Sequence, residues 1–465
     1  MGGGGGKAFG SSGFSPALRC LIRQWRALEP WISSEEAVHR YSHHALTALR
    51  DVMTPRQEAV IVSGTFGEWS PITIHLDGEI SVRDRSAPYK GAMFAVYPGD
   101  IVFSKIDARS GAIGMLPASI PKGVVTPEFP VFVADPAKLD SGFVQRVLRT
   151  GGFLKALRSK ATGTSGRKRI SPEAFLDLRI PLPNFAEQQA IIVAFDAALK
   201  DAAAKEQAAI AVEAKAMADF EAALGFAPAT PLPDKPVFIA SFKDLDRWSH
   251  EGVLRGVLKL TDPVPAFPVS PLGTVGRVSY GLQKYPGNRP GLHARPYLRV
   301  ANVQRNRVDL QIIKTINVPD EDMPKYRLEE GDLLLCEGNS AELVGRGAIW
   351  RNEIADCVHQ NHVLRVRLDQ SRATPEFALS VINSSYGQAY FRTKAKQTTN
   401  LASINSKEVA SFPLPLPPLA EQKSMIAKLD DGMAEAARLR CEAAAARASA
   451  WAAFEGAVYA EEPAA

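Results

Sequence analysis

The chain has 465 residues, 46% of them hydrophobic and 23% charged, which suits about three soluble globular domains and excludes a largely disordered polypeptide. Fifty-five Lys and Arg against fifty Asp and Glu leave a net charge of +5, a weak excess that permits a polyanionic partner without requiring one. Cys20, Cys336, Cys357 and Cys441 show no Cys-x-x-Cys spacing, which fits a reducing, cytoplasmic setting, and no apolar run reaches the roughly 18–20 residues of a membrane span.

Residues 1–14 read as a flexible Gly-rich arm without the apolar stretch of a secretory signal. From Ser15 to about Arg50 the spacing of Trp25, Leu28, Trp31 and Val38 predicts a helix. Short strands follow in AVIVSG, ITIHLDGEISV and DIVFSKI, punctuated by Asp-Gly and Pro-Gly. A helix over Phe143–Lys160 and a basic loop, Gly-Thr-Ser-Gly-Arg-Lys-Arg, precede Pro181-Leu182-Pro183, whose prolines cannot sit inside a helix and close this first part. From Glu187 to Leu224, 15 of 38 residues are Ala and none is Pro or Gly. Ile192, Phe195, Leu199, Ile210, Met217, Phe220 and Leu224 mark one apolar seam, predicting a helix of about 57 Å that accepts a close partner. A Pro-rich linker then leads to a second part with strand, helix and loop signals in the same order, and to a second Ala-rich helix, Glu421–Val458.

The order recurs because the sequence repeats. Pro181-Leu182-Pro183 with Ala186-Glu187-Gln188 returns 234 positions later as Pro415-Leu416-Pro417 with Ala420-Glu421-Gln422. The same register pairs Phe220 with Phe454 and Glu221 with Glu455, and a two-residue slip pairs Gly99-Asp100 with Gly331-Asp332. Two Ala-rich helices can match by chance, but the proline lead-in and the upstream matches together indicate two copies of one module.

On the doubled lead-in, with "LEEGDLLLCEGNS", "GRGAIW", "HQNHVLRVR" and "GDIVFSKIDARSGAIG", the chain resembles the specificity subunits of type I restriction-modification systems over about residues 50–458. The resemblance implies an α+β fold in which two β-rich target-recognition domains, each reading half of a bipartite asymmetric DNA site, are joined by two long antiparallel helices with a pseudo-two-fold repeat. The domains expected are 15–183 and 237–417, the helices 184–225 and 418–458, with a linker at 226–236 and a tail at 459–465. The helix pair would set the spacer and dock DNA adenine methyltransferase subunits, two of them, and ATP-dependent restriction subunits could join. The first copy departs from the second in its late start and its far more basic loop.

Phosphate contacts need cations and base contacts need forked or amide side chains. Lys105, Lys160, Arg167, Lys168, Arg169, Lys284, Arg289, Arg295, Lys394 and Lys396 are the candidates for the first, and Arg109, Asn339, Arg346, Asn361 and Gln397 for the second. A solvated face is the first account of each cation taken singly, whereas Arg167-Lys168-Arg169 repel one another unless an anion is near. Glu187, Gln188, Phe220, Glu421, Gln422 and Phe454 are assigned to the helix pair.

Catalysis finds no support. Gly6-Lys7 lacks the first glycine and the Ser/Thr of a phosphate-binding loop, and no Asn-Pro-Pro-Tyr/Phe motif or Gly-rich cofactor loop appears. Cys357-x-His359-x-x-His362 has no fourth metal ligand in view and reads as a strand and turn with polar side chains facing outward. His39 and His43 read as a surface pair, and Asp100 and Asp332 as residues of turns opening strands. No cofactor, metal or catalytic residue is therefore expected. The alternative to DNA recognition is a scaffold whose helix pair joins protein partners beside degenerate recognition domains.

Overall fold

The computed structural model describes residues 44–61, 66–84, 91–161, 169–226, 264–285, 289–340, 342–397 and 401–459, with a few isolated positions between them. The chain divides into two compact units, Met1–Ala204 with Ala443–Ala465, and Lys205–Glu442. Each unit therefore takes one half of each long helix, which run over Phe185–Ala223 and Leu419–Val458.

In the first unit Leu46–Ala48 pairs antiparallel with Arg179–Pro181. The expected helix thus fails at its described end: these residues are a strand followed by a 3-10 turn, Leu49–Asp51, and residues 15–43 lie outside the described ones. An apolar stretch this short does not declare its period, and the ladder to residues 179–181 decides it. Pro181 can close the ladder because a terminal strand position tolerates a residue without N–H. A four-stranded sheet (Met53–Arg56, Val131–Ala134, Ile101–Phe103, Ile113–Met115, in spatial order) and a five-stranded sheet built from Ala59–Val60, Met93–Val96, Gly123–Val125, Ser70–Ile74 and Ile80–Val82 complete the β part.

The predicted helix over 143–160 is two helices, Ser141–Val147 and Gly151–Ser159. Each has its own cap, Asp140 accepting from Phe143 N and Thr150 from Phe153 N, and a capping side chain starts a new helix where it ends the old one. Phe143, Phe153, Phe175 and Phe132 form the core with Phe195, Ala450 and Phe454 from the long helices.

The second unit repeats these features. Val269–Pro271 pairs with Pro413–Pro415, and a four-stranded sheet orders Gly276–Ser279, Val363–Leu368, Leu333–Cys336 and Gly347–Ile349. Two capped helices, Pro375–Asn383 and Ser385–Lys394, follow. Phe220, Leu224, Phe377, Phe391 and Phe412 are central to its core. Phe226, expected to open the linker, is buried and stacks on Tyr386 at 4.2 Å between centroids, because Gly225, at φ 80°, turns the chain back onto the core.

Within each unit the halves of the long helices pack closely. Phe195 lies 5.0 Å from Trp451 and 5.5 Å from Phe454. In the second unit Arg440 meets Glu206 and Glu213, and a Cβ on Gly432 would lie 2.5 Å from that of Ala216. Partner numbers fall on one helix as they rise on the other, so these halves run antiparallel. Ala and Gly along the seam allow that approach.

Candidate nucleic-acid interface

The motif Ala-Glu-Gln fixes the start of each long helix. Gln188 is fully buried: its Nε2 donates to Lys138 O and Pro183 O, both 2.9 Å, and its Oε1 accepts from Asp140 N at 2.8 Å. Gln422, also fully buried, donates to Arg372 O and Pro417 O, both 2.9 Å, and accepts from Thr374 N at 3.0 Å. Asn184 and Glu187 add a reciprocal capping box at the first helix, each side chain accepting from the other's backbone N–H.

The far ends are equally fixed. Glu221 accepts from Ser385 N at 2.6 Å and Ser385 Oγ at 2.7 Å, and Glu455 accepts from Gly151 N at 3.2 Å. In both units a carboxylate thus sits at the N-terminus of the second short helix, where the helix dipole favours negative charge. Phe220 and Phe454 lie beside them, 6.1 Å from Phe377 and 6.0 Å from Phe143.

Asp100 and Asp332 are the matching turn residues of the sheets. Each follows a glycine at φ 89°, is buried, and takes an arginine in a bidentate grip, Arg56 at 2.7 and 3.1 Å and Arg367 at 2.8 and 2.8 Å. These carboxylates belong to the scaffold, as the turn reading expected.

One edge of the second unit collects the predicted polar residues. Leu282 N donates to His359 O and Asn361 N to Leu282 O, which sets the loop carrying exposed Lys284 beside Asn361. Glu337 N donates to His362 O and Ile404 N to Glu337 O. Gly338–Asn339 and Lys396–Gln397 both pair with Ala402–Ser403. Five predicted positions, Lys284, Asn339, Asn361, Lys396 and Gln397, thus lie on or beside neighbouring segments tied to one another by backbone hydrogen bonds, although the side chains of Asn339 and Gln397 lie outside the described ones. Gly281 makes the close approach possible, because a Cβ there would lie 2.1 Å from His359 O and 2.5 Å from Gln360 O.

The sequence reading missed Glu337, and it took its partner His362 only as an outward residue of a strand and turn. His362 Nδ1 donates to Glu337 Oε2 at 2.6 Å. The signal that could have exposed them was the internal register: Lys105 N donates to Glu128 O and Ile170 N to Lys105 O in the first unit, so Lys105 and Glu128 hold the places of Glu337 and His362.

No family model matches the chain. A putative type I restriction enzyme MjaX specificity subunit of Methanocaldococcus jannaschii is 29% identical over 137 residues, covering 29% of this chain and 32% of that protein. The type I restriction enzyme EcoKI specificity subunit of Escherichia coli K12 is 23% identical over 311 residues, 66% of this chain and 60% of the relative. Among solved structures, a chain from work on complex assembly and conformational transition of a type I R-M system aligns at TM-score 0.56 and 16% identity, covering 89% of this chain and 97% of that one. Over these regions the chain is similar to type I specificity subunits. The matched regions span about a third and 60% of the two sequence relatives, and the solved structure shares the fold.

The remaining predicted positions divide. In the first unit Lys105 Nζ donates to Pro127 O at 2.8 Å, and exposed Arg169 lies 3.4 Å from Glu128. Arg109 O accepts from Arg158 Nε at 2.8 Å, and Lys160 caps the helix Gly151–Ser159. Arg167 and Lys168 lie outside the described residues, as do His39 and His43.

Arg346 is a correction. It is 7% exposed, and its guanidinium donates to Val303 O at 2.9 Å and Val300 O at 3.3 Å. A fork held on interior carbonyls cannot reach a base edge. Arg295, expected on phosphates, is held by Asp320 at 2.5 Å and Asp356 at 3.5 Å.

Cys357 and His359 face inward, contrary to the outward strand and turn expected: both are buried, and Cys357 Sγ and His359 Nδ1 bond to the carbonyls of Val358 and Val363, the latter at 2.7 Å. Burial pushes the Cys357 thiol up to about 12 and the His359 imidazole down to about 4. Among the described residues no group of three His, Cys, Asp or Glu is arranged to hold a metal ion.

Proposed function

We propose that the chain is the DNA-recognition subunit of a type I restriction-modification complex. Two recognition domains read the two halves of a bipartite, asymmetric site. The helices form one antiparallel ruler with pseudo-two-fold symmetry, which sets the spacer and docks two adenine methyltransferase subunits, and restriction subunits can join that assembly. The chain itself performs no chemistry in this scheme.

The observation that carries the reading is the duplication of the helix anchors without duplication of the reading edge. Gln188 and Gln422, and Glu221 and Glu455, make corresponding bonds, while the edge changes from Lys105 with Glu128 to Glu337 with His362. A scaffold needs its joints conserved between copies; a reader of two different half-sites needs its contact surfaces to differ. Half-sites a helical turn apart, about 34–36 Å, fall within the span of helices of 39 and 40 residues at about 1.5 Å per residue.

The test is genomic. Adenine methylation mapped with and without this gene should lose one bipartite motif. Replacing residues 237–414 by the same region of a relative should alter one half of that motif and keep the other. An unchanged methylation map on deletion would overturn the reading.

A further inference from the structure

We propose that Glu337, positioned by His362, is a base-reading residue that selects an exocyclic amino group, with cytosine preferred, in the half-site read by the domain at 237–417. The inference deepens the function proposed above and rests on it.

Glu337 stands where three segments meet. Its backbone N–H donates to His362 O at 3.0 Å and its carbonyl accepts from Ile404 N at 2.9 Å, so its Cα is fixed between two neighbouring segments. Its carboxylate is held as well, by the 2.6 Å bond from His362 Nδ1. The pair still faces outward, since the Glu337 side chain keeps 21% of its surface and that of His362 57%. A carboxylate that is both fixed and reachable has the preorganisation that discrimination requires.

The first unit supplies the control for a structural role. The same two backbone bonds, Lys105 N to Glu128 O at 3.1 Å and Ile170 N to Lys105 O at 2.9 Å, form around a lysine. There the cation turns to Pro127 O and the carboxylate at position 128 meets Arg169 at 3.4 Å. The rung therefore folds with either sign of charge, and no rule of the scaffold demands an acid at 337. The backbone joins Glu337 to a surface carrying Lys284 and Lys396, which suit phosphates. A carboxylate among phosphate-binding cations is repelled by phosphate oxygens and by the acceptor atoms of guanine and thymine. What remains in the major groove is an amino donor, N4 of cytosine first and N6 of adenine second.

His362 acts through Glu337 as a positioning residue. Its Nδ1 holds one carboxylate oxygen, so the other is the one aimed at the base. Asparagine can place an amide donor where Nδ1 stands, and alanine cannot.

The test selects duplexes from a randomised pool with the full-length chain, in complex with whatever subunits co-purify, and sequences what is retained. Glu337→Gln should move one base pair of one half-site away from cytosine by about ten-fold, towards a base that presents an acceptor, because His362 keeps the amide oxygen and the NH2 left facing the base can only donate. The other half-site should be retained unchanged, which also reports that the variant is folded. His362→Asn should keep the original preference and His362→Ala should lose it. If Glu337→Gln selects the original sequence within two-fold at every position, the proposal fails and the recognition reading stands. If the unmodified chain enriches no sequence, the recognition reading fails first.

Discussion

Gln188 and Gln422, 234 residues apart, hold the starts of the two long helices through the same three hydrogen bonds, two given to carbonyls and one taken from the N–H that precedes a capped helix. Both amides are fully buried. The motif is therefore a joint: it sets the direction in which each helix leaves its sheet.

The joint should be costly to lose. Gln188→Leu strands two carbonyls and one N–H in the interior, a loss of about 2–3 kcal/mol of stability. Gln422→Leu should cost about the same, with the effect in the other unit. Denaturant unfolding monitored by hydrogen exchange should localise each loss, and equal effects on both units from either variant would refute the assignment.

Arg346 distinguishes a reader from a structural cation. Arg346→Met removes donors from Val303 O and Val300 O, and stability should fall by about 2 kcal/mol while base preference stays unchanged. A change in the selected sequence with unchanged stability would restore the base-reading role that the sequence suggested.

That error shows what a sequence leaves open. Pattern and spacing revealed the helices, the doubled lead-in and the matching of Glu221 with Glu455, since each depends on periodicity or repetition. Whether the guanidinium of Arg346 turns inward depends on which carbonyls the fold leaves unpaired, and no local pattern reports that. Leu46–Ala48 was likewise illegible, because its partner strand lies more than 130 positions away. The reading edge was legible only in pieces: Asn361 and Lys396 could be named by chemistry, but the juxtaposition of Glu337 with His362 needed the ladder.

Gly281 governs that edge. A Cβ there would meet two backbone carbonyls, which cannot rotate away, so Gly281→Ala should push the Lys284 loop off residues 359–361. The cost is about 1–3 kcal/mol, and DNA binding should weaken beyond what the loss of folded protein explains. Binding that falls only in proportion to the folded fraction would refute this.

His359 should make stability depend on pH. Its Nδ1 donates to Val363 O, and its buried Nε2 has no partner, so protonation would bring charge into the interior and the imidazole is held down to about 4. The unfolded chain takes up a proton below about 6.5, whereas the folded chain does not until near 4. Stability from this group is therefore complete above 6.5 and declines as pH falls towards 4, by roughly 1.5 kcal/mol between about pH 6.5 and 5. His359→Asn, which can keep a donor to Val363 O, should flatten that slope in unfolding curves taken at several pH values. An unchanged slope would assign the loss to other groups.

Salt dependence should separate the two chemistries of the edge. Lys284 and Lys396 are exposed and joined to Asn361 through the backbone ladder, so on DNA they are expected to meet phosphates, releasing counterions whatever the sequence. Lys284→Ala with Lys396→Ala should weaken binding to every duplex and reduce the slope of log K against log salt by about 2, near 0.9 for each phosphate that is no longer neutralised. The preferred bases should not change. Glu337→Gln removes a negative charge that faces no phosphate, so it should alter the preferred base and leave the slope nearly as it was. If the double lysine variant changed base preference while keeping the slope, these cations would be reading bases, and the division of the edge into phosphate and base contacts would be wrong.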